Sequence, residues 1–152
     1  MPSHTSTRRR HDPVVQFSVF TPNRLGRLND VLEVFRSYDV HVLGLAVVDT
    51  TDSAIIRLVV DDPDRSRHLF DEHAFAFTES ELLVVAIKSP TLLSNLVSAL
   101  LQAELNINYL YPFITPCEDG SVLGLSVEDN ELAEQILRQH QFRVLKQSDL
   151  SR

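Results

Sequence analysis

The chain has 152 residues, 43% of them hydrophobic and 23% charged, which is the composition of a folded globular protein and excludes wholesale disorder. Its formal net charge of −7 divides into +2 for residues 1–12 and −9 for the remainder, and an acidic body repels the phosphate backbone of a nucleic acid. The sequence therefore predicts no nucleic-acid partner, and because it holds no run of about 18 apolar residues it predicts no membrane partner.

Residues 1–12 carry three consecutive arginines, Arg8 to Arg10, and no apolar stretch of signal-peptide length follows them. We interpret this segment as a disordered basic tail, with the binding of a nucleic acid or an acidic partner by the arginines as the alternative. Cys117 is the single cysteine, so it has no partner for an internal disulfide, and we interpret it as a free loop thiol. These features predict a cytoplasmic protein.

The first half of the chain predicts the order βαββαβ. Residues 14–20 alternate apolar and polar side chains as a half-buried strand does, and the apolar residues that follow recur every three or four positions, as on an amphipathic helix. Residues 41–50 and 53–61 predict a hairpin. Asp62 and Pro63 predict the N-cap and first turn of a second helix, and residues 74–78 predict a short closing strand.

The second half predicts the same order again. Its strands are predicted at residues 82–88, 106–115, 121–128 and 142–146, and its helices at 92–104 and 131–140. Residues 55–75 match residues 122–142 at a constant offset of 67 without a gap, which places Asp62 on Asp129 and His73 on His140. Upstream, a slip of one residue places Val40 on Ile107 and Gly26 on Ser94.

Two βαββαβ units predict an α+β fold of two ferredoxin-like units, each with an antiparallel sheet and its helices on one face. We place the first unit at residues 13–79 and the second at 80–150. The phenylalanines on the predicted strand and helix faces are expected in the core; they are Phe17, Phe20, Phe35, Phe70, Phe75 and Phe142.

The segment from Pro22 to Leu28 resembles the turn between the first strand and first helix of the ACT domain. Gly26 and Leu28 keep the family pattern, although Leu25 stands where the family has a proline. Residues 38–45 and 106–108 are similar to the family's entry into the second strand. The resemblance covers about residues 13–150 and indicates a tandem ACT protein.

This resemblance implies a non-catalytic regulatory protein that binds a small ligand, such as an amino acid, where two ACT units meet, with no cofactor. The alternative is a ligand-free dimerisation or docking module that regulates a metabolic enzyme, similar to a regulatory subunit of the acetolactate-synthase type. No common catalytic motif, phosphate-binding loop or zinc spacing is present, so we do not expect an enzyme.

The candidate ligand site centres on Gly26, where a helix start with a glycine lets a carboxylate approach the backbone. Arg24 and Arg27 flank it as candidate carboxylate ligands, beside Leu25, and Asn23 offers both a donor and an acceptor. The alternative is that Asn23 only caps the helix and both arginines are solvated.

Further candidates lie in the second strand and in the second unit. Gly44, next to Leu43, marks either a close approach by a ligand or neighbouring unit, or a simple bulge. Thr91 and Ser94 are candidate donors, but without a glycine this second turn is expected to serve as an interface.

We interpret the histidines as structural residues. His73 and His140 end the second helix of each unit, where a histidine complements the helix dipole, and His41 and His68 have no partners that make a metal set. Residues 82–87 are apolar on both faces, so we expect a homodimer in which units meet edge to edge and a second chain buries the helix-free faces.

Overall fold

A computed structural model describes residues 12–22, 26–115 and 120–151 of the chain. The predicted basic tail, three of the candidate ligand-binding residues and the single cysteine therefore lie outside the described residues, apart from Asp12. The three candidates are Asn23, Arg24 and Leu25, and the cysteine is Cys117.

The predicted helices and strands are present, except that one strand replaces two predicted ones and a short last helix is added. The second helix of the first unit is capped as predicted, and the aligned aspartate caps that of the second unit. Asp62 accepts a hydrogen bond from the backbone N–H of Arg65 at 3.2 Å, and Asp129 accepts one from Leu132 at 3.1 Å. The elements are β1 (Val14–Pro22), α1 (Arg27–Ser37), β2 (Val42–Asp49), β3 (Ser53–Val60), α2 (Pro63–Glu72), β4 (Ala76–Ile87), α3 (Leu92–Gln102), β5 (Ile107–Pro112), β6 (Ser121–Val127), α4 (Asn130–Gln139), β7 (Arg143–Leu145) and α5 (Gln147–Leu150).

Each unit builds an antiparallel sheet with the same strand order. The first unit has the order β2-β3-β1-β4, and the second has the order β5-β6-β4-β7. Strand β4 thus serves as the last strand of the first unit and as the first strand of the second. The predicted α+β class with two ferredoxin-like βαββαβ units is confirmed.

The continuous strand β4 differs from the two separate strands that the sequence predicts around residues 79–80. Its residues Ala76–Leu82 pair with β1, and Leu83–Ile87 pair with β6. No glycine or proline interrupts the segment between these two pairings, so the backbone passes straight from one sheet into the other. The proposed boundary between the units falls inside this strand.

Each sheet packs its helices on one face only. In the first unit, Phe17 and Leu58 of the sheet pack against Phe35 of α1 and Phe70 of α2. In the second, Val85 and Leu125 pack against helices α3 and α4. The periodicity of the sequence therefore identifies these two cores correctly.

The helix-free faces of the two sheets pack against each other within one chain, which gives four layers in the order α/β/β/α. Val14, Val59 and Leu82 of the first sheet contact Tyr111 and Val122 of the second in a third apolar cluster. The expected burial of these faces by a second chain is therefore wrong, because the chain itself covers them. Phe20 lies beyond this contact and is 43% exposed, so its predicted place in the core is wrong.

A second connection joins the two sheets at the edge opposite β4. The backbone N–H of Ile114 donates to the carbonyl of Leu43 at 2.7 Å, and Gly44 forms a bridge with Phe113. Strands β2 and β5 therefore hold the two units together at this edge, and the sheets are tied on both sides.

Candidate functional site

Gly26 is the N-cap of α1 and has a left-handed backbone, with φ of 91°. A side chain other than glycine rarely adopts this conformation, so glycine is required by the turn itself. Gly26 is exposed, and a Cβ added to it would meet no atom of residues 12–22, 26–115 or 120–151 within 4 Å. Among these residues, none fills the space beside the glycine.

Arg27 already has partners within the chain. Its guanidinium binds Asp30 at 3.2 Å and lies 4.9 Å from the centre of the Phe75 ring. Its Nε is buried and has no acceptor among the described residues. A carboxylate ligand would therefore meet an arginine whose guanidinium is held by its neighbours and whose Nε is not accessible.

At Gly44 the structure shows both a bulge and a close approach by the neighbouring unit, which the sequence offered as alternatives. The register of β2 against β3 shifts between Val42 and Gly44, which is a bulge. The ring of Phe113 also lies so close that a Cβ on residue 44 would come within 2.8 Å of it. The second unit of the same chain thus packs against Leu43 and Gly44.

Thr91 and Ser94 lie in a turn whose donors are satisfied internally. Thr91 N–H donates to the Ser89 hydroxyl at 3.2 Å, and the next amide, of Leu92, donates to the Ser89 carbonyl at 3.0 Å. The two hydroxyls of Ser89 and Thr91 lie 2.8 Å apart, and the Ser94 hydroxyl donates to the Thr91 carbonyl at 3.4 Å. This turn has little left to offer a ligand.

The structural counterpart of Gly26 is Thr91 rather than Ser94, so the predicted upstream alignment is wrong. Both residues are N-caps of helices of 11 residues, and both helices lead to a left-handed residue, Asp39 or Glu104, at an offset of 65. Sequence similarity misplaces this alignment because serine and leucine recur within α3. Downstream, the offset of 67 is confirmed by left-handed Ala74 and Gln141.

The structure does not bring all candidate residues together. On β3, Ser53 lies opposite Pro22 at the Gly26 end, whereas Val59 lies opposite Gly44. Six residues of strand separate these positions by about 20 Å. Within one chain, Gly26 and Arg27 therefore form one location, and Leu43 and Gly44 form another beside the second unit.

A buried polar network between the sheets was not predicted from the sequence. Gln16, only 1% exposed, donates to the Tyr109 hydroxyl at 2.8 Å and accepts from the Tyr111 hydroxyl at 2.6 Å. Burial, with a smaller contribution from neighbouring Tyr109, raises the pKa of Tyr111 far above its usual value, against an opposing effect of Arg57. The Arg57 guanidinium lies 4.0 Å from the centre of the Tyr109 ring. A polar residue at this position of an alternating strand predicts a solvent-facing side chain, so the sequence pattern does not reveal that Gln16 is buried and hydrogen-bonded.

The histidines contact their own backbone and nearby carboxylates. His73 and His140 are the C-caps of α2 and α4, and His140 Nδ1–H donates to the Ile136 carbonyl at 2.9 Å. His41 Nδ1 lies 2.7 Å from Asp61 Oδ2. Across the part of the chain that the structure describes, no group of three or more histidine, cysteine or acidic side chains is arranged to hold a metal ion. Nor is any described helix long and apolar enough to cross a membrane.

The structure thus places the chain in the class of proteins built from two ferredoxin-like βαββαβ units, which here share a strand. Residues 13–152 match the family described as the ACT domain pair. Because the match spans most of its length, the chain belongs to this family. No curated protein matches it.

Solved structures share the fold. A Bacteroides thetaiotaomicron protein is similar with a TM-score of 0.81 and 23% identity, over 91% of this chain and 95% of that one. The ligand-free regulatory subunit of aspartate kinase from Thermus thermophilus has a TM-score of 0.60 and 14% identity, over 85% and 91% of the two chains. The corresponding subunit from Thermus flavus has a TM-score of 0.58 and 14% identity, over 86% and 92%. At these identities the similarity shows the fold alone.

Proposed function

We propose that the protein is a non-catalytic regulatory protein of the cytoplasm that binds an amino acid or a similar small ligand at the turn that begins α1. Membership of the ACT domain pair family supports a regulatory role. The regulatory subunits of aspartate kinase, which share the fold, are consistent with this class. Ligand binding would act by favouring one association state over another.

The observation that carries this proposal is the backbone at Gly26, which is left-handed where that of Thr91 is right-handed. A Cβ on Gly26 would meet no atom of the described residues within 4 Å, and the helix N-terminus there attracts a carboxylate. In the second turn the amides of Thr91, Leu92 and Leu93 are already bonded to Ser89 and Pro90. The first unit is therefore the proposed ligand site, and the second unit serves as an interface.

We further propose that the site is completed by a second copy of the chain. Pro22, where β1 ends, and Gly44 lie at levels of the sheet about 20 Å apart, so Gly44 does not cover the turn and another unit would have to do so. Residues 76–80 of β4 offer an edge, because within the described strands they pair with β1 only. An open edge invites pairing with another strand. Sedimentation measured with and without ligand tests this dimer.

The alternative function is a docking module that regulates a metabolic enzyme without a ligand. The internally bonded turn at Thr91 and the open edge of β4 favour it, because both suit a protein contact rather than a small molecule. A docking module would keep its partner and its stability regardless of free amino acids.

A thermal-shift screen of the common amino acids separates these two functions. We expect at least one amino acid to raise the unfolding temperature, since a ligand that binds only the folded state stabilises it by mass action. Gly26→Trp fills the open space and should abolish the shift. Gly26→Asn is the matched control, because asparagine tolerates a positive φ and remains small. A screen in which no amino acid changes the unfolding temperature would favour the docking module.

A further inference from the structure

A polar row of side chains crosses the helix-free face of the first sheet. By strand register this row, called the Arg57 row, consists of Thr78, Ser18, Arg57 and Ala46. Arg57 lies two residues along β3 from Val59, which is part of the apolar contact between the two sheets. From the second sheet, Tyr109 places the centre of its ring 4.0 Å from the guanidinium carbon of Arg57. The Arg57 row therefore adjoins the contact between the sheets.

The second unit has an apolar row at the equivalent register. That row consists of Leu145, Val84, Gly124 and Tyr111, all of them buried. Leu145, Val84 and Tyr111 belong to the apolar cluster between the sheets. Gly124 stands where the first unit has Arg57, at the offset of 67. The same position of the repeat is thus part of a buried apolar contact in one unit and carries a cation in the other.

Arg57 forms no ion pair with any carboxylate of the described residues. Its Nε is buried without a hydrogen-bond acceptor, whereas its two terminal nitrogens are not buried. The neighbours of Arg57 in the row, Ser18 and Ala46, are uncharged. The Tyr109 ring holds the guanidinium by a cation–π contact, which leaves the N–H donors of the terminal nitrogens for an anion.

Two hydroxyl groups beside Arg57 add further donors. The Tyr109 hydroxyl accepts a hydrogen bond from Gln16 Nε2 at 2.8 Å, so its own hydrogen remains for another acceptor. Ser18 is the register partner of Arg57, and its hydroxyl forms no hydrogen bond with the described residues. Because the guanidinium of Arg57 lies on the Tyr109 ring, one carboxylate at the edge of that ring can meet both the cation and the hydroxyl.

An apolar row lies next to the Arg57 row on the same face, on the side away from the contact between the sheets. By register this row, called the Phe20 row, consists of Ala76, Phe20, Ile55 and Val48. Phe20 is 43% exposed and Val48 is 37% exposed. The Phe20 row therefore offers apolar surface to a chain of carbon atoms attached to an anion at Arg57.

We propose that these two rows form a second binding site, distinct from the turn at Gly26, for a small carboxylate with an aliphatic chain. Arg57 binds the carboxylate through its terminal nitrogens, and the hydroxyls of Ser18 and Tyr109 donate to it. The aliphatic chain lies across the Phe20 row. Gly26 begins α1, which packs on the opposite face of the first sheet, so the two sites do not overlap.

Backbone NMR spectra of the full chain, titrated with sodium hexanoate, test the proposal. Hexanamide is the uncharged probe of similar shape, and acetate is the carboxylate without the longer chain. We expect hexanoate to shift the amide resonances of residues 16–20 and 55–59, and hexanamide to leave them in place. Acetate should bind about tenfold more weakly than hexanoate, because it covers little of the Phe20 row. Equal shifts with hexanamide, or no shift of these residues with hexanoate, would overturn the proposal.

Two pairs of variants assign the binding to these rows. Arg57→Gln should weaken hexanoate binding about tenfold, whereas Arg36→Gln, at an arginine of α1 that is 81% exposed, should leave it unchanged. Phe20→Ser should weaken the binding of hexanoate but not of acetate. Leu110→Ser is its control, because Leu110 is 38% exposed and lies on the helix-bearing face of the second sheet.

Equal binding by the two members of either pair would show that the two rows do not form the site. Shifts confined to residues 26–30 would overturn the proposal too, while leaving the proposed function in place.

Discussion

The ring of Phe113 lies against the α-carbon of Gly44, so that a β-carbon on residue 44 would come within 2.8 Å of the ring carbons Cδ1 and Cε1. This contact joins the edge strands of the two units, where Gly44 and Phe113 form a bridge. Because the contact has no room for a methyl group, Gly44→Ala should destabilise the protein by about 1–3 kcal/mol, as overpacking does. Urea unfolding followed by circular dichroism measures this change.

A smaller partner residue provides the control for that prediction. Phe113→Leu removes the ring, so Gly44→Ala should cost much less in that background, and the double-mutant cycle should show a coupling of at least about 1 kcal/mol. Additive effects of the two substitutions would contradict the close contact. Gly26→Ala offers a contrast, since a Cβ there meets no atom of the described residues, although the positive φ strains an alanine.

The hydrogen bonds of Gln16 predict a cost for removing a single hydroxyl. Tyr111→Phe leaves the Gln16 Oε1 atom without its 2.6 Å donor in a buried position. A buried polar atom without a partner costs about 1–3 kcal/mol, so the free energy of unfolding should fall by that amount. The double variant Gln16→Leu with Tyr111→Phe should lose less than the sum of the two single variants. A Tyr111→Phe variant as stable as the parent would show that the network contributes nothing.

Glu134 predicts a dependence of stability on pH. Burial by itself would raise the pKa of this carboxyl, but hydrogen bonds from Lys146 and Arg138 outweigh it and lower the pKa below the ordinary value of 4.5. The group therefore stabilises the fold above pH 4.5, and this contribution is lost as the pH falls through the lower folded-state pKa. Glu134→Gln should lose about 0.5–1 kcal/mol at neutral pH, and the difference from the parent should vanish in acid.

An exposed ion pair supplies the control for that pH series. Glu33 binds Arg36 at 3.5 Å, and both side chains are mostly exposed. Glu33→Gln should leave the free energy of unfolding unchanged at every pH, because exposed pairs contribute little. If Glu33→Gln and Glu134→Gln gave the same pH profile, the effect would be a general one of charge and not a property of Glu134.

The two equivalent helix caps predict equal effects in the two units. Asp62 and Asp129 each accept a hydrogen bond from the backbone N–H three residues later. Replacement of either by alanine should cost about 1 kcal/mol, whereas asparagine should preserve the cap. Chemical denaturation of the four variants checks this. A loss in only one unit would show that the repeat does not extend to the energetics of its caps.

The sequence predicts local structure well where one residue type has one physical consequence. Aspartate before proline or before an acidic first turn starts a helix, and this holds at Asp62 and Asp129. Leucine and phenylalanine at helical spacing identify the face that packs on the sheet, as at Phe35 and Leu100. These signals are local, so they survive without knowledge of the rest of the chain.

The sequence misleads where a residue's environment is set by a distant segment. Gln16 has the position of a solvent-facing residue, yet Tyr109 and Tyr111 of the other unit surround it. Phe20 has the character of a core residue, yet it lies outside the three apolar clusters and is 43% exposed.

The amino-acid sequence by itself determined that the chain contains two copies of one βαββαβ unit, because the hydrophobic periodicity and the helix caps that define each unit depend on residues close together in the sequence. Only the tertiary structure decided how the copies combine. A single strand passes through both sheets. Their helix-free faces bury each other, because this contact removes the apolar side chains of both faces from water. It also showed that the backbones at the two helix starts differ, because Gly26 is left-handed with φ of 91° and Thr91 is right-handed with φ of −65°, and that difference depends on backbone geometry rather than on residue pattern.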